Sequence, residues 1–167
     1  MILIQNINKK FKKLQALDNI TAAFSNGQVV ALIGPNGSGK TTLIKSILGM
    51  VRPDSGKIYV NDELINDSPL YRQQIGYMPQ IGRDPDNMKV GQLFTMLQQI
   101  RKTEAKELDN ELINAFNLPS IFDKPMRTLS GGTRQKVSAA IAFLFNPAVL
   151  ILDEPTAVFT GSEIDLL

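Results

Sequence analysis

The residues Gly34-Pro35-Asn36-Gly37-Ser38-Gly39-Lys40-Thr41-Thr42 satisfy the pattern G-x-x-x-x-G-K-[ST]. Glycines at these places let the backbone wrap closely enough for several N–H groups to point inward at phosphate oxygens. A short apolar run at residues 29–33 precedes the loop and reads as a strand buried on both faces. Residues 40–48 have helical character and are closed by Gly49. The start of that helix adds its positive end to the loop. Lys40 is placed to neutralise the β- and γ-phosphates of a nucleoside triphosphate, and the Thr41 hydroxyl to ligate Mg²⁺. A chance match in a chain of this size is on the order of one in a hundred or rarer at ordinary glycine usage. The strand–loop–helix setting makes chance a poorer account still.

A second constellation sits downstream. Val149-Leu150-Ile151-Leu152 is an apolar strand that ends in Asp153-Glu154. At the carboxyl edge of a parallel sheet, such carboxylates face the crevice where ligands bind. One can hold Mg²⁺ through water, and the next can orient or activate an attacking water. Alone, an acidic pair after a strand is an ordinary solvated turn; after a phosphate loop it reads as chemistry. Just upstream, Leu129-Ser130-Gly131-Gly132-Thr133-Arg134-Gln135 opens a helix. Its plain reading is a serine cap followed by two loose glycines. A helix N-terminus with bare N–H groups is also an anion site, so the chain has two phosphate-directed helix ends.

Between these motifs the pattern is α/β. Ile2, Ile4 and Asn6, then residues 17–24, alternate as half-buried strands, and Asn26-Gly27 marks a turn between strands. Pro53-Asp54-Ser55-Gly56 is another turn, and residues 58–60 and 75–78 read as strands. Val90, Leu93, Phe94, Leu97 and Ile100 fall on one helical face, as do Leu108, Leu112 and Phe116, with Thr103 as an N-cap. Residues 130–145 read as a third helix. The apolar stretch at residues 137–152 is broken by Asn146 and Pro147 and is too short to span a bilayer. The expected organisation is one domain over residues 1–167, with a helical insert at about 86–145.

Composition removes several classes of chemistry. The 167 residues include neither cysteine nor histidine, which excludes disulfides, thiolate metal sites, a cysteine nucleophile and the usual histidine base. A formal charge of +2 gives no nucleic-acid surface, so no nucleic-acid partner is expected.

The string from Leu129 to Gln135 resembles the signature motif of ABC transporter ATP-binding domains, and Leu150 to Thr156 resembles that family's form of the Walker B motif. With the phosphate loop, order and spacing agree from the N-terminus to about Ala157. The resemblance implies a P-loop nucleotide-hydrolase core with an N-terminal antiparallel β part and a helical insert. It implies ATP and Mg²⁺ as ligands, with Asp153 as the Mg²⁺ carboxylate and Glu154 as the catalytic base. Phe11 matches the aromatic residue that stacks on adenine. Gln80, in Tyr77-Met78-Pro79-Gln80, matches the glutamine that senses Mg²⁺ and links the core to the insert. Ser130, Gly131 and Gly132 would contact the γ-phosphate held by a second subunit in a head-to-tail dimer.

The function implied is an ATP-binding subunit that hydrolyses ATP to drive transport through a separate membrane-spanning partner, peripheral on the cytoplasmic face of a membrane. The pattern also breaks. The family's short loop after Walker B carries an aspartate where Thr160 stands in Ala157-Val158-Phe159-Thr160-Gly161, and its members continue to a further strand ending in a switch histidine. On this reading the C-terminal strands are missing and the fold is incomplete. The alternative is therefore an ATP-binding but hydrolysis-deficient module, or an inactive fragment. Relatives that act on DNA carry a long coiled coil between the motifs, and those that act on ribosomes carry two such domains; neither feature is present.

Overall fold

The computed structural model describes residues 1–65, 69–82 and 84–153. The chain forms two compact units, Met1–Gln73 and Gln74–Leu167. The sequence reading of Pro155, Thr156 and residues 157–161 lies outside the described residues.

In the first unit, β1 (Ile2–Phe11), β2 (Leu14–Phe24), β3 (Ser55–Val60) and β4 (Glu63–Leu64) form an antiparallel sheet in the order β2-β1-β3-β4. Ile2, Ile4 and Ile7 are all buried, although the third breaks the alternation of the first two. The register shifts between Ile4 and Ile7, and Asn6 takes φ 52°. One inserted residue in the left-handed region, a conformation that asparagine tolerates, turns Ile7 back to the core. The Asn6 N–H donates to Thr21 Oγ1 at 3.0 Å and its side-chain amide to Asn19 Oδ1 at 2.9 Å. The alternation over Ile2, Ile4 and Asn6 thus held only for its first two members.

The hairpin between β1 and β2 turns at Lys12 and Lys13, where the sequence carries no turn signal. Asn26-Gly27 does turn, with Gly27 at φ 71°, but it does not lead into a strand. Residues 29–33 belong to neither sheet, and Val29 and Ile33 are 103% and 90% exposed. This corrects the expectation of a strand buried on both faces. An apolar run expresses a tendency to be buried, whereas a strand exists only where neighbouring backbone completes its ladder. Helix α1 (Lys40–Ile47) forms as expected, burying Leu43, Ile44 and Ile47, and ends at Gly49 with φ 66°.

In the second unit, β5 (Ile75–Met78) pairs in parallel with β6 (Val149–Leu152), Ile75 opposite Val149 and Met78 opposite Leu152. Helices α2 (Val90–Arg101), α3 (Glu111–Ala115) and α4 (Gly131–Phe143) accompany them. Val90, Leu93, Phe94, Leu112, Ile113, Met126, Val137 and Leu144 share their core. Helix α4 lies so close to β5 that a side chain at Gly76 would meet the Ala142 carbonyl.

Three expectations in this region fail. Ile100 is exposed, because α2 turns it off the core stripe. Thr103 caps nothing: Glu104 opens a single 3₁₀ turn at Ala105–Glu107, and the Thr103 hydroxyl donates back to Arg101 O. Leu108 and Phe116 lie outside the short α3 and reach the core from flanking loops.

Candidate functional site

The phosphate loop of the first unit takes its shape from two glycines at positive φ, Gly37 at 83° and Gly39 at 93°. The Ser38 N–H donates to Pro35 O at 3.2 Å, and the Leu43 N–H to Gly39 O at 2.8 Å, starting α1. Lys40 folds back over the loop, its ammonium donating to Gly34 O at 2.6 Å and Pro35 O at 3.0 Å. No side chain caps α1, so its leading N–H groups have no side-chain acceptor. Residues 34–38 and Thr41 are exposed, and Thr42 is half-buried within the helix start. An ammonium, a hydroxyl and an uncapped helix N-terminus in one concave turn are the donor set a polyphosphate requires.

Gly39 is also pinned from behind. A Cβ there would lie 2.3 Å from the Ala16 carbonyl oxygen of β2, in addition to the strain of its φ. Gly39→Ala is therefore expected to destabilise the first unit by about 2 kcal/mol or more, readable as a lowered denaturation midpoint. Gly37→Ala, with open space around it, should cost only the backbone strain.

The same contact lies near Phe11 along β2. Phe11 pairs with Leu14 across the hairpin, and Ala16 stands two residues, roughly 7 Å, further along β2. Phe11 is not a core residue: it is 45% exposed, with the Lys9 ammonium 5.4 Å from its ring centroid.

In the second unit, Gln80 and Asp153 leave the carboxyl ends of neighbouring parallel strands, just beyond the Met78–Leu152 pair. Asp153 is buried, and its N–H donates to Met78 O at 2.9 Å. Burial, and then the charge of Asp153, push the Tyr77 hydroxyl above its ordinary value. Gln80 is exposed. Glu154 lies outside the described residues.

Ser130 caps α4 as its residue type suggests: its Oγ accepts from the Thr133 N–H at 3.2 Å and lies 2.8 Å from Thr133 Oγ1. Ser130→Ala should lower stability by about 1 kcal/mol in a chemical melt. Gly131 and Gly132 are exposed, and nothing lies within 4 Å of a Cβ built on either. Packing within the unit does not require glycine there, whereas close approach by an outside group would.

Other polar ties gave no sequence signal, because their partners are distant in the chain. Arg134 of α4 pairs with Asp86 at 3.3 Å, and Arg127 donates to Asn87 Oδ1 at 2.9 Å. Burial raises the Asp84 carboxyl above its usual range, against the pull of Arg134. Lys9 and Asp54 form an ion pair at 2.8 Å behind Phe11.

Residues 17–157 match the ABC transporter family, a span that includes every candidate site residue read from the sequence except Phe11. The chain is 37% identical over 159 residues to a probable sulfate/thiosulfate import ATP-binding protein CysA of Chlorella vulgaris, covering 93% of this chain and 67% of that one. It is 34% identical over 164 residues to the lipopolysaccharide export system ATP-binding protein LptB of Haemophilus influenzae, covering 94% and 68%. With the molybdate/tungstate import ATP-binding protein WtpC of Methanocaldococcus jannaschii it shares 34% over 160 residues, covering 94% and 53%. A solved ATP-binding subunit of an ABC transporter superposes with a TM-score of 0.88 at 27% identity, over 98% of this chain and 70% of that one. A second cassette, in its ADP conformation, gives 0.76 at 26% identity, over 98% and 72%. The chain thus spans about half to two-thirds of the length of these curated relatives. By fold, motif order and sequence it belongs to the ABC transporter family, as an ATP-binding cassette.

Proposed function

We propose that this chain binds Mg-ATP and hydrolyses it to drive transport through a separate membrane-spanning partner. The observation that carries the reading is the phosphate loop, with Lys40 held over it by two carbonyls and an uncapped helix behind it. The loop N–H groups and Lys40 would bind the β- and γ-phosphates, and Phe11 would stack on adenine. Thr41, Asp153 and Gln80 carry the oxygen donors that suit Mg²⁺, which when bound neutralises charge on the phosphates. Glu154 would orient the attacking water and accept its proton as the bond to the γ-phosphorus forms.

Ser130, Gly131 and Gly132 would close on the γ-phosphate held by a second ATP-binding subunit, giving a head-to-tail dimer with two shared sites. The open space over both glycines supports that contact. The subunit would lie peripheral on the cytoplasmic face of the membrane; among the described residues no helix is long and apolar enough to cross one. The relatives named above serve import of two oxyanion classes and export of a lipopolysaccharide, so they do not single out a cargo.

A second reading, an ATP-binding but hydrolysis-deficient module, is favoured by Thr160 in the place where the family's loop carries an aspartate. Phosphate release by the purified chain, measured beside ATP binding, separates the two. Turnover that disappears in Glu154→Gln supports hydrolysis; binding without turnover in the wild type supports the second reading.

A further inference from the structure

Four lysines surround Phe11 at the tip of the β1–β2 hairpin: Lys9, Lys10, Lys12 and Lys13. Lys10, Lys12 and Lys13 are exposed, as crowded like charges should be. Lys9 differs, with a side chain only 17% exposed. Its ammonium donates to Asp54 Oδ1 at 2.8 Å and lies 5.4 Å from the Phe11 ring centroid. The other Asp54 oxygen accepts from the Lys10 N–H at 2.7 Å, and the Asp54 N–H donates to Asn8 O at 2.8 Å. One carboxylate from the turn before β3 therefore grips β1 at adjacent residues and parks a cation on the aromatic ring. The hydrogen bond from Lys9, then that from the Lys10 N–H, hold the Asp54 carboxyl below its usual range.

Fixing a lysine costs rotamer freedom. Here the return is a ring held in one orientation at a hairpin tip, close along β2 to the Ala16–Gly39 contact. We infer that Lys9 and Asp54 are positioning residues for the nucleotide base: they lock the Phe11 ring so that its exposed surface meets adenine already oriented. This rests on the reading that ATP occupies the phosphate loop and Phe11 stacks on its base. Preorganisation raises affinity by removing an ordering cost from the binding step, and its effect is confined to ligands that carry a base.

The test compares ATP with inorganic tripolyphosphate, which offers the loop its phosphates and Phe11 nothing. Titrations on the full chain would use Lys9→Met, Asp54→Asn, Lys9→Arg and Phe11→Ala, with Lys13→Met as a charge-matched control and melting temperatures alongside. Lys9→Met and Asp54→Asn are expected to weaken ATP binding about three- to fivefold and leave tripolyphosphate binding unchanged. Lys9→Arg should retain wild-type affinity for both, and Lys13→Met the wild-type ratio between them. Wild-type ATP affinity in Lys9→Met beside a loss in Phe11→Ala would make the pair a mere brace for β1 and overturn the inference. Equal losses for both ligands would do so too, exposing a general charge or folding effect. An unaffected Phe11→Ala removes the stacking that the inference needs, and a wild type that binds neither ligand removes the underlying ATP reading.

Discussion

Saturation with Mg-ATP at about 100 times its dissociation constant is expected to stabilise the chain by roughly 2.7 kcal/mol, and Lys40→Ala should abolish that gain. For a domain of this size the gain corresponds to roughly 5–10 °C in melting temperature. The reasoning starts from Lys40, whose ammonium lies over the Gly34 and Pro35 carbonyls. A phosphate entering the loop trades those neutral acceptors for charged ones, and charge-assisted hydrogen bonds are about twice as strong. Alanine removes the only cation within the loop sequence, so the phosphates lose their counter-charge. In the unliganded chain the same substitution should matter little, because residues 34–38 are exposed and water can satisfy the carbonyls. A melting curve for Lys40→Ala that matches wild type without ATP and ignores its addition is the expected result. A ligand shift retained in this variant would mean that ATP binds somewhere else.

The second large effect concerns Glu154. Glutamine preserves the shape of the side chain and can still hydrogen-bond a water, but it cannot accept the proton. Positioned general bases contribute about 10²–10⁴-fold, so turnover by Glu154→Gln should fall at least about 100-fold below wild type. Binding should hold or tighten, since one negative charge beside the triphosphate has gone. Phosphate release and nucleotide titration on the same preparations check both halves. Unchanged turnover in the variant would remove Glu154 from the chemistry.

What the sequence revealed and what it hid follow a physical division. The phosphate loop, α1 with its closing Gly49, and the Ser130 cap were legible because each is settled by residues within a few positions. Positive φ, helix start signals and side-chain caps are local properties. Residues 29–33 show the limit, since the same five letters serve a central strand or an exposed segment, depending on which backbone lies alongside. The Asn6 bulge was invisible for a related reason: it is defined by mismatch with β2 and β3. Lys9 and Asp54 are 45 residues apart, and the sequence shows Asp54 only as part of a turn. Only the antiparallel pairing of β1 with β3 makes them partners.

That pairing geometry also orders events in time. The β1–β2 ladder closes across the two-residue turn at Lys12 and Lys13, whereas Ile75 finds Val149 only across a loop of about 70 residues holding α2, α3 and α4. At about 0.6 kcal/mol per doubling of loop length, the second closure is roughly 3 kcal/mol dearer in chain entropy. The barrier falls only once the helices have shortened the path, so β5 and β6 should meet late in folding. Gln80 and Asp153 leave the ends of those two strands. A growing chain would therefore pair β1 with β2 well before it brings Gln80 and Asp153 side by side.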